Sequence, residues 1–231
     1  MPDWIKNELA VYNLDLVGKT ALEVAFGHDR PFQRLYPMPK ILEETQSPTP
    51  RCIEKILGRP SRNASSTLDG FEFYASSLRK SDWRKKILKL GADEVMRRIR
   101  EDKTLDEYDI SKAELAITAI VKTEYANWYD WRVDNWGVKW DVDAAYFSNE
   151  ITFENNEKSE PDLIIRFDTP WAPPVGILKR ISEQYPDARF YLRWADEFGL
   201  ENGVRLLVGE AGIIDGRETD KDIHRVSAIA Q

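Results

Sequence analysis

The chain has 231 residues, 42% of them hydrophobic and 11% aromatic. That is enough for a packed core, and it excludes disorder as the state of most of the chain. Forty acidic against 33 basic side chains leave a formal charge of -7, which argues against a general binder of phosphate backbones and leaves room for a partner with a basic surface.

In chain order, WIKNELAVY (4–12) alternates as a strand, with Ile5, Leu9 and Val11 on one side and Lys6 and Glu8 on the other. Asn7 interrupts the apolar side and is expected to cap a neighbouring turn. LDLVGKTALEVAFG (14–27) reads as a helix ending at Gly27, and FQRLYPMP (32–39) as a short extended piece stopped by prolines. After the break QSPTP (46–50), RCIEKILG (51–58) is helical, RPSRNASST (59–67) is turn chemistry and FEFYA (71–75) a strand. A helix capped by Ser81 comes next, with Trp83, Ile87 and Leu90 on one face; Gly91 breaks it before ADEVMRRIRED.

SKAELAITAIVKTEYANWYDWRV (111–133) is the strongest helical pattern, opened by a Ser111/Glu114 capping box. Strands are expected at 143–154 and 161–169, a helix at 171–186, and strands at 188–198 and 203–212, before a charged, loosely held tail from Asp215. Strands and helices alternating at both ends around a helical block predict an α+β fold. The expectation is a single ferredoxin-like domain over 1–231: an antiparallel sheet with helices on one face and a helical insertion at about 40–130.

Several function classes find no support in the residues. Cys52 is the only cysteine, and His28 and His224 are the only histidines, so no internal disulfide can form and a His/Cys zinc site lacks ligands. His28 reads as a loop residue and Cys52 as a small side chain on a helix. Neither GxxxxGK[ST] nor a strand-bounded GxGxxG occurs, and no cofactor or metal is expected. MPDWIKNELAVYN has no basic leader and no apolar h-region, and no run approaches the roughly 18 apolar residues of a membrane span. A cytoplasmic protein without a membrane partner is expected.

Two features stand out as candidate sites. The first is aromatic: Trp128, Tyr129, Trp131, Trp136 and Trp140 fall within residues 128–140, the last two inside DNWGVKWD (134–141). One reading is a plug, with Gly137 turning the backbone and Lys139 laying its stem over an indole. The other is an open face of Trp136, Trp140 and Trp171 with Asp134, Lys139 and Asp141 as polar handles, for a protein or small ligand. The second feature is the stretch 79–103, with ten basic and five acidic residues, including Arg84, Lys85, Lys86, Lys89, Arg97 and Arg98 around Trp83. It reads as a solvated helix face or as a surface for nucleic acid or an acidic partner. The opposite bias appears at 141–168, eight acidic against two basic, and at 194–222, eight against three.

Four ordered segments together resemble the YubB-like proteins of plasmids and bacteriophages, which carry a ferredoxin-like domain. They are the opening MPDWIKNELAVY, the turn in FQRLYPMPKIL (32–42), WYDWRVDNWGVKWD (128–141), and FDTPWAPPVGIL (167–178) with the Tyr-Pro of QYPDARFYLRW (184–194) after it. The chain departs from that pattern at Asp3 and Ile5, where the family more often carries Asn and Cys, and 43–110 lies outside it. The resemblance implies a ferredoxin-like fold and an accessory gene of a mobile element, in a bacterial host's cytoplasm. With no catalytic constellation legible, the expected function is a non-enzymatic interaction protein that binds a host protein to counter a defence system. The alternatives are a single-stranded nucleic-acid binder using the aromatic motif or the basic stretch, and an enzyme or binder of a nucleotide or small metabolite using Asp134, Lys139 and Asp141.

Overall fold

A computed structural model describes residues 3–58, 82–150 and 159–196, and the backbone of two further strands at 202–208 and 213–216. The elements expected at 59–67 and 71–75, the cap Ser81 and the tail beyond Gly216 lie outside those residues. By internal contacts the chain divides into two compact units, Met1–Pro37 with Asn135–Gln231, and Met38–Asp134.

The first unit is built on a six-stranded sheet with strand order β2-β3-β1-β4-β5-β6, antiparallel at every step. The strands are β1 (Trp4–Tyr12), β2 (Ala145–Phe147), β3 (Leu163–Pro170), β4 (Arg189–Asp196), β5 (Asn202–Val208) and β6 (Ile213–Gly216). Helix α1 (Leu16–Phe26) comes after β1, and α9 (Val175–Gln184) joins β3 to β4. Strands β1 to β4 with these two helices form the β-α-β-β-α-β circuit of a ferredoxin-like fold, with order 4-1-3-2, and β5 and β6 extend it beyond β4. The fold class is the one expected. The sequence suggested one strand from 203 to 212; the described strands are instead Asn202–Val208 and Ile213–Gly216, and the second takes in Asp215.

The register explains which side chains face the helices. Leu9 lies between Ile165 and Leu192, and Val11 between Leu163 and Phe190. On that face Phe167 packs against Phe26 of α1 and against Phe32, with centroids 5.3 and 6.1 Å apart. Phe32 belongs to a short helix, α2 (Pro31–Leu35), where an extended piece was expected. Its opening is secured from a distant part of the chain: Asp141 accepts hydrogen bonds from the N–H groups of Phe32 and Gln33 at 2.9 and 2.8 Å. No local sequence signal could reveal a cap supplied from there. Asn7 caps no turn directly; its amide donates to the carbonyls of Ile5 and Phe167 and, inside the sheet, to the hydroxyl of Thr169, which in turn bonds the Ala172 carbonyl.

The second unit is helical: α3 (Lys40–Glu43), α4 (Arg51–Leu57), α5 (Trp83–Leu90), α6 (Ala92–Glu101), α7 (Glu107–Thr123), and the first part of α8 (Trp128–Trp136), within which the division falls. Cys52 and Ile53, Trp83 and Ile87, Val95 and Ile99, and Ile117 and Ile120 interlock as its core, from helix faces on which apolar residues recur every three or four positions. Leu90, expected on that face, is exposed. Gly91, at φ 89°, breaks α5 from α6 as expected. The long helix begins earlier than Ser111: Asp106 is the N-cap, its carboxylate accepting from Asp109 N–H at 2.8 Å. It also ends earlier, at Glu124 in the left-handed region with φ 72°. A fresh helix then starts at Trp128, with Asn127 Oδ1 accepting from Asp130 N–H at 2.9 Å and Thr45 Oγ1 from Trp128 N–H at 2.9 Å. Among the described residues no helix is long and apolar enough to cross a membrane.

Candidate functional site

DNWGVKWD does not behave as one object. Trp136, at the end of α8, is 0% exposed. Its ring meets Phe32 edge-on at a 6.0 Å centroid distance, and its indole N–H donates to the Tyr36 carbonyl at 2.9 Å. It is core, and cannot belong to an open face. Directly after it, Gly137 adopts φ 82° and passes against Gly176 at the start of α9. A Cβ on Gly176 would lie 2.8 Å from the Gly137 nitrogen and 2.9 Å from the Trp136 carbonyl carbon. The two glycines therefore let backbone cross backbone, and that crossing fixes where the next residues emerge.

What emerges is a tryptophan pair. Trp140 is 38% exposed and Trp171 48%, with ring centroids 5.1 Å apart at a 46° tilt. Lys139 Nζ lies 4.7 Å from the Trp140 centroid and 5.5 Å from that of Trp171, a cation over two π faces. The two half-exposed rings and the Lys139 ammonium thus lie together at the surface.

Trp171 is held there against its own backbone preference. Its φ is 61°, a region rarely entered by a bulky side chain. It sits at the apex of a three-residue turn closed by Ala172 N–H donating to the Pro170 carbonyl at 2.8 Å, and its own N–H donates to the Asp3 carbonyl at 2.8 Å. The turn is locked from below: the buried Asn7 amide donates to Thr169 Oγ1 at 2.8 Å, and that hydroxyl donates to the Ala172 carbonyl at 2.7 Å. A conformation costing about 1–3 kcal/mol persists because buried hydrogen bonds over-determine it. Sequence reasoning connected Asn7 with a neighbouring turn, which it supports through Thr169; it missed Thr169 itself, and Gly176 at the backbone crossing. The one visible signal was a polar residue on the apolar side of a strand.

The remaining candidates have other partners. Asp141 caps α2 with both oxygens and also accepts from Val142 N–H. Asp134 belongs to the helical unit and accepts the Tyr125 hydroxyl proton. In the basic stretch, Trp83 is buried and donates to the Gly58 carbonyl at 2.8 Å. Arg84 pairs with Glu124 at 2.8 Å, and Lys86 with Asp82 at 2.9 Å. Arg97 and Arg98 both engage Glu94, whose carboxyl is held down at about 2 by the Arg97 hydrogen bonds first and those of Arg98 next. Lys85 and Lys89 are exposed. Arg84, Lys86, Arg97, Arg98 and Arg100 are thus paired within the unit itself, as on a solvated face.

The helical unit also holds a polar knot around the buried Asn127. Asn127 Nδ2 donates to Thr49 Oγ1 and to Asp130 Oδ2, both at 2.9 Å. Burial pushes the Asp130 carboxyl up to about 6, against the lowering effect of the Asn127 hydrogen bond, with Asp134 adding a smaller push upward. No group of three or more His, Cys, Asp or Glu side chains among the described residues is placed to hold a metal ion.

A family described as "Ferredoxin-like domain in Api92-like protein" matches residues 149–226, in agreement with the fold. A search of curated proteins finds no match. Among solved structures, a protein api92 from Yersinia pseudotuberculosis is similar over 95% of this chain and 99% of its own, at 11% identity and a TM-score of 0.40.

Proposed function

We propose that this protein is a non-enzymatic interaction module of a phage or plasmid, and that Trp140 and Trp171 with Lys139 are its contact for a host protein. The observation that carries the reading is the exposed pair itself. Two tryptophans are kept half in solvent, one of them on a strained turn pinned by buried hydrogen bonds. Exposed tryptophans in such a setting are the usual anchors of protein interfaces, each worth about 2 kcal/mol or more when covered. The mobile-element context and the countering of a host defence rest on the sequence resemblance.

Two observations weigh against single-stranded nucleic acid. On the sheet face away from the helices, Tyr12 and Tyr191 are buried against each other at a 5.6 Å centroid distance, which leaves Tyr146 as the exposed ring there among the described residues, short of the two or three stacking rings of an RNA-binding sheet. The basic stretch has most of its arginines in ion pairs.

The test is rescue of a phage or plasmid from individual host defence systems by expression of this chain, with co-purification of the component it binds. Wild type is expected to rescue from one system and to retain one of its components. Trp140→Ala/Trp171→Ala, checked for unchanged folding, should lose both. Rescue and capture undiminished in that variant would remove the tryptophan pair from the interface. Salt-sensitive retardation of labelled RNA or single-stranded DNA, lost in the same variant, would favour nucleic acid instead.

A further inference from the structure

On one side the sheet ends at β2, with no strand beyond it in the order among the described residues. Its residues pair with β3 as Ala145–Phe167, Tyr146–Arg166 and Phe147–Ile165, and the Ser148 N–H then donates to the Ile164 carbonyl at 3.1 Å. Backbone groups in an antiparallel pair point alternately toward the partner strand and away from it. Ser148 and Tyr146 therefore turn theirs to β3, while Ala145 and Phe147 each hold an N–H and a carbonyl toward the outer edge. The other side of β3 agrees. The Trp171 N–H donates to the Asp3 carbonyl at 2.8 Å, and the same alternation in register gives Phe167 and Ile165 to β1 and leaves Arg166 for Tyr146.

Sheet edges are commonly guarded by lysine, proline or a bulge; Ala-Tyr-Phe has neither lysine nor proline, and shortness is its guard. It carries an exposed ring on each face instead. Tyr146, level with Arg166 on the face away from the helices, is 60% exposed, and Phe147, level with Ile165 on the helix side, is 44% exposed. A strand laid along β2 finds two main-chain donors, two acceptors, and a ring to pack on above and below.

Charge selects the strand. Asp143 and Glu150 flank β2, both exposed and neither in an ion pair among the described residues. Arg166, the cation level with Tyr146, is already matched: its guanidinium donates to the Glu8 carboxylate, and to the Glu150 carbonyl at 2.8 Å. Lys139, upstream, lies over the tryptophan rings. A second copy fits poorly. Antiparallel pairing centred on Tyr146 sets Asp143 opposite the partner's Asn149 and beside the partner's Glu150, acid against acid in a chain of formal charge -7.

We infer that the outer edge of β2 is a strand-addition site for a basic, extended segment of a partner protein. The site uses none of the residues of the tryptophan pair and does not depend on that reading.

Fluorescence anisotropy of a labelled peptide of alternating lysine and valine, titrated with the full chain, tests it. Binding is expected at low salt, weaker as salt rises, and weaker by at least about tenfold when glutamate replaces lysine. An N-methylated form of the lysine peptide, which keeps the charge and loses the main-chain donors, should also bind at least about tenfold more weakly. Phe147→Pro removes an outward donor without removing a β2–β3 bond, and should weaken binding by about tenfold. Asp143→Lys/Glu150→Lys, both at exposed positions, should do the same with an unchanged circular dichroism spectrum, while Trp140→Ala/Trp171→Ala should bind as wild type does. No binding of the lysine peptide, or equal binding of its N-methylated form, would overturn the proposal. So would binding indifferent to Asp143→Lys/Glu150→Lys. A concentration-dependent dimer in sedimentation, abolished by Phe147→Pro, would give the edge to a second copy and overturn it as well.

Discussion

The aromatic segment 127–141 is divided between the two units, and its halves are used in opposite ways. In the helical unit, Asn127 to Asp134 are tied down by polar groups: Thr45, Thr49 and Asn127 secure the helix start, and Asp130 is half-buried beside them. In the sheet unit, Asn135 to Asp141 are positioned by a backbone crossing of two glycines, which sends Trp136 inward and leaves Trp140 at the surface. The residue types on either side are nearly the same. The difference is whether neighbouring chain arrives to cover them.

The sharpest break between the halves is Trp136→Ala. Removing a fully buried indole, with its hydrogen bond to Tyr36, should cost about 3–5 kcal/mol in chemical denaturation. Trp140→Ala should cost no more than about 1 kcal/mol. Equal losses at the two positions would mean that the segment is one plug after all.

Gly176→Ala attacks the crossing itself. The added methyl meets backbone rather than a flexible side chain, so a loss of about 1–3 kcal/mol is expected, with changed fluorescence from Trp140 as its loop is displaced. An unaltered protein would show that the close approach is not needed to place the pair.

The helical half is expected to show a pH signature. Because the Asp130 carboxyl sits near 6 in the folded chain and near 3.9 unfolded, the fold favours its protonated form. Its contribution to stability is greatest below about pH 4, falls as pH rises toward 6, and is flat above. Asp130→Asn should remove that fall and gain about 1–3 kcal/mol at pH 7, keeping an acceptor for the Asn127 amide. Parallel pH profiles for variant and wild type would show that the carboxyl is solvated.

The smallest effect lies at position 171. With φ at 61°, Trp171→Gly should be more stable than Trp171→Ala by about 1 kcal/mol, since glycine alone enters that region without penalty. Equal stability would mean that the turn relaxes once the indole is gone.

Local pattern was enough for the α+β class and most of the elements, because strand alternation and helical spacing survive without a partner. WIKNELAVY and LIIRF are strands for that reason, and RCIEKIL and ADEVMRRIR are helices. The Ser111/Glu114 pattern is a genuine local cap signal, yet the helix starts at Asp106, whose carboxylate accepts from the Asp109 N–H. Helix α2 was not legible at all, since a five-residue helix is capped by Asp141 from more than a hundred residues away. Nor could the pattern of tryptophans say which would be covered. Burial depends on the chain that packs on top: Phe32 and Tyr36 reach Trp136, while Trp140 and Trp171 meet each other and Lys139 and stay half in solvent. Such contacts belong to the tertiary structure, because they join segments that the sequence keeps far apart.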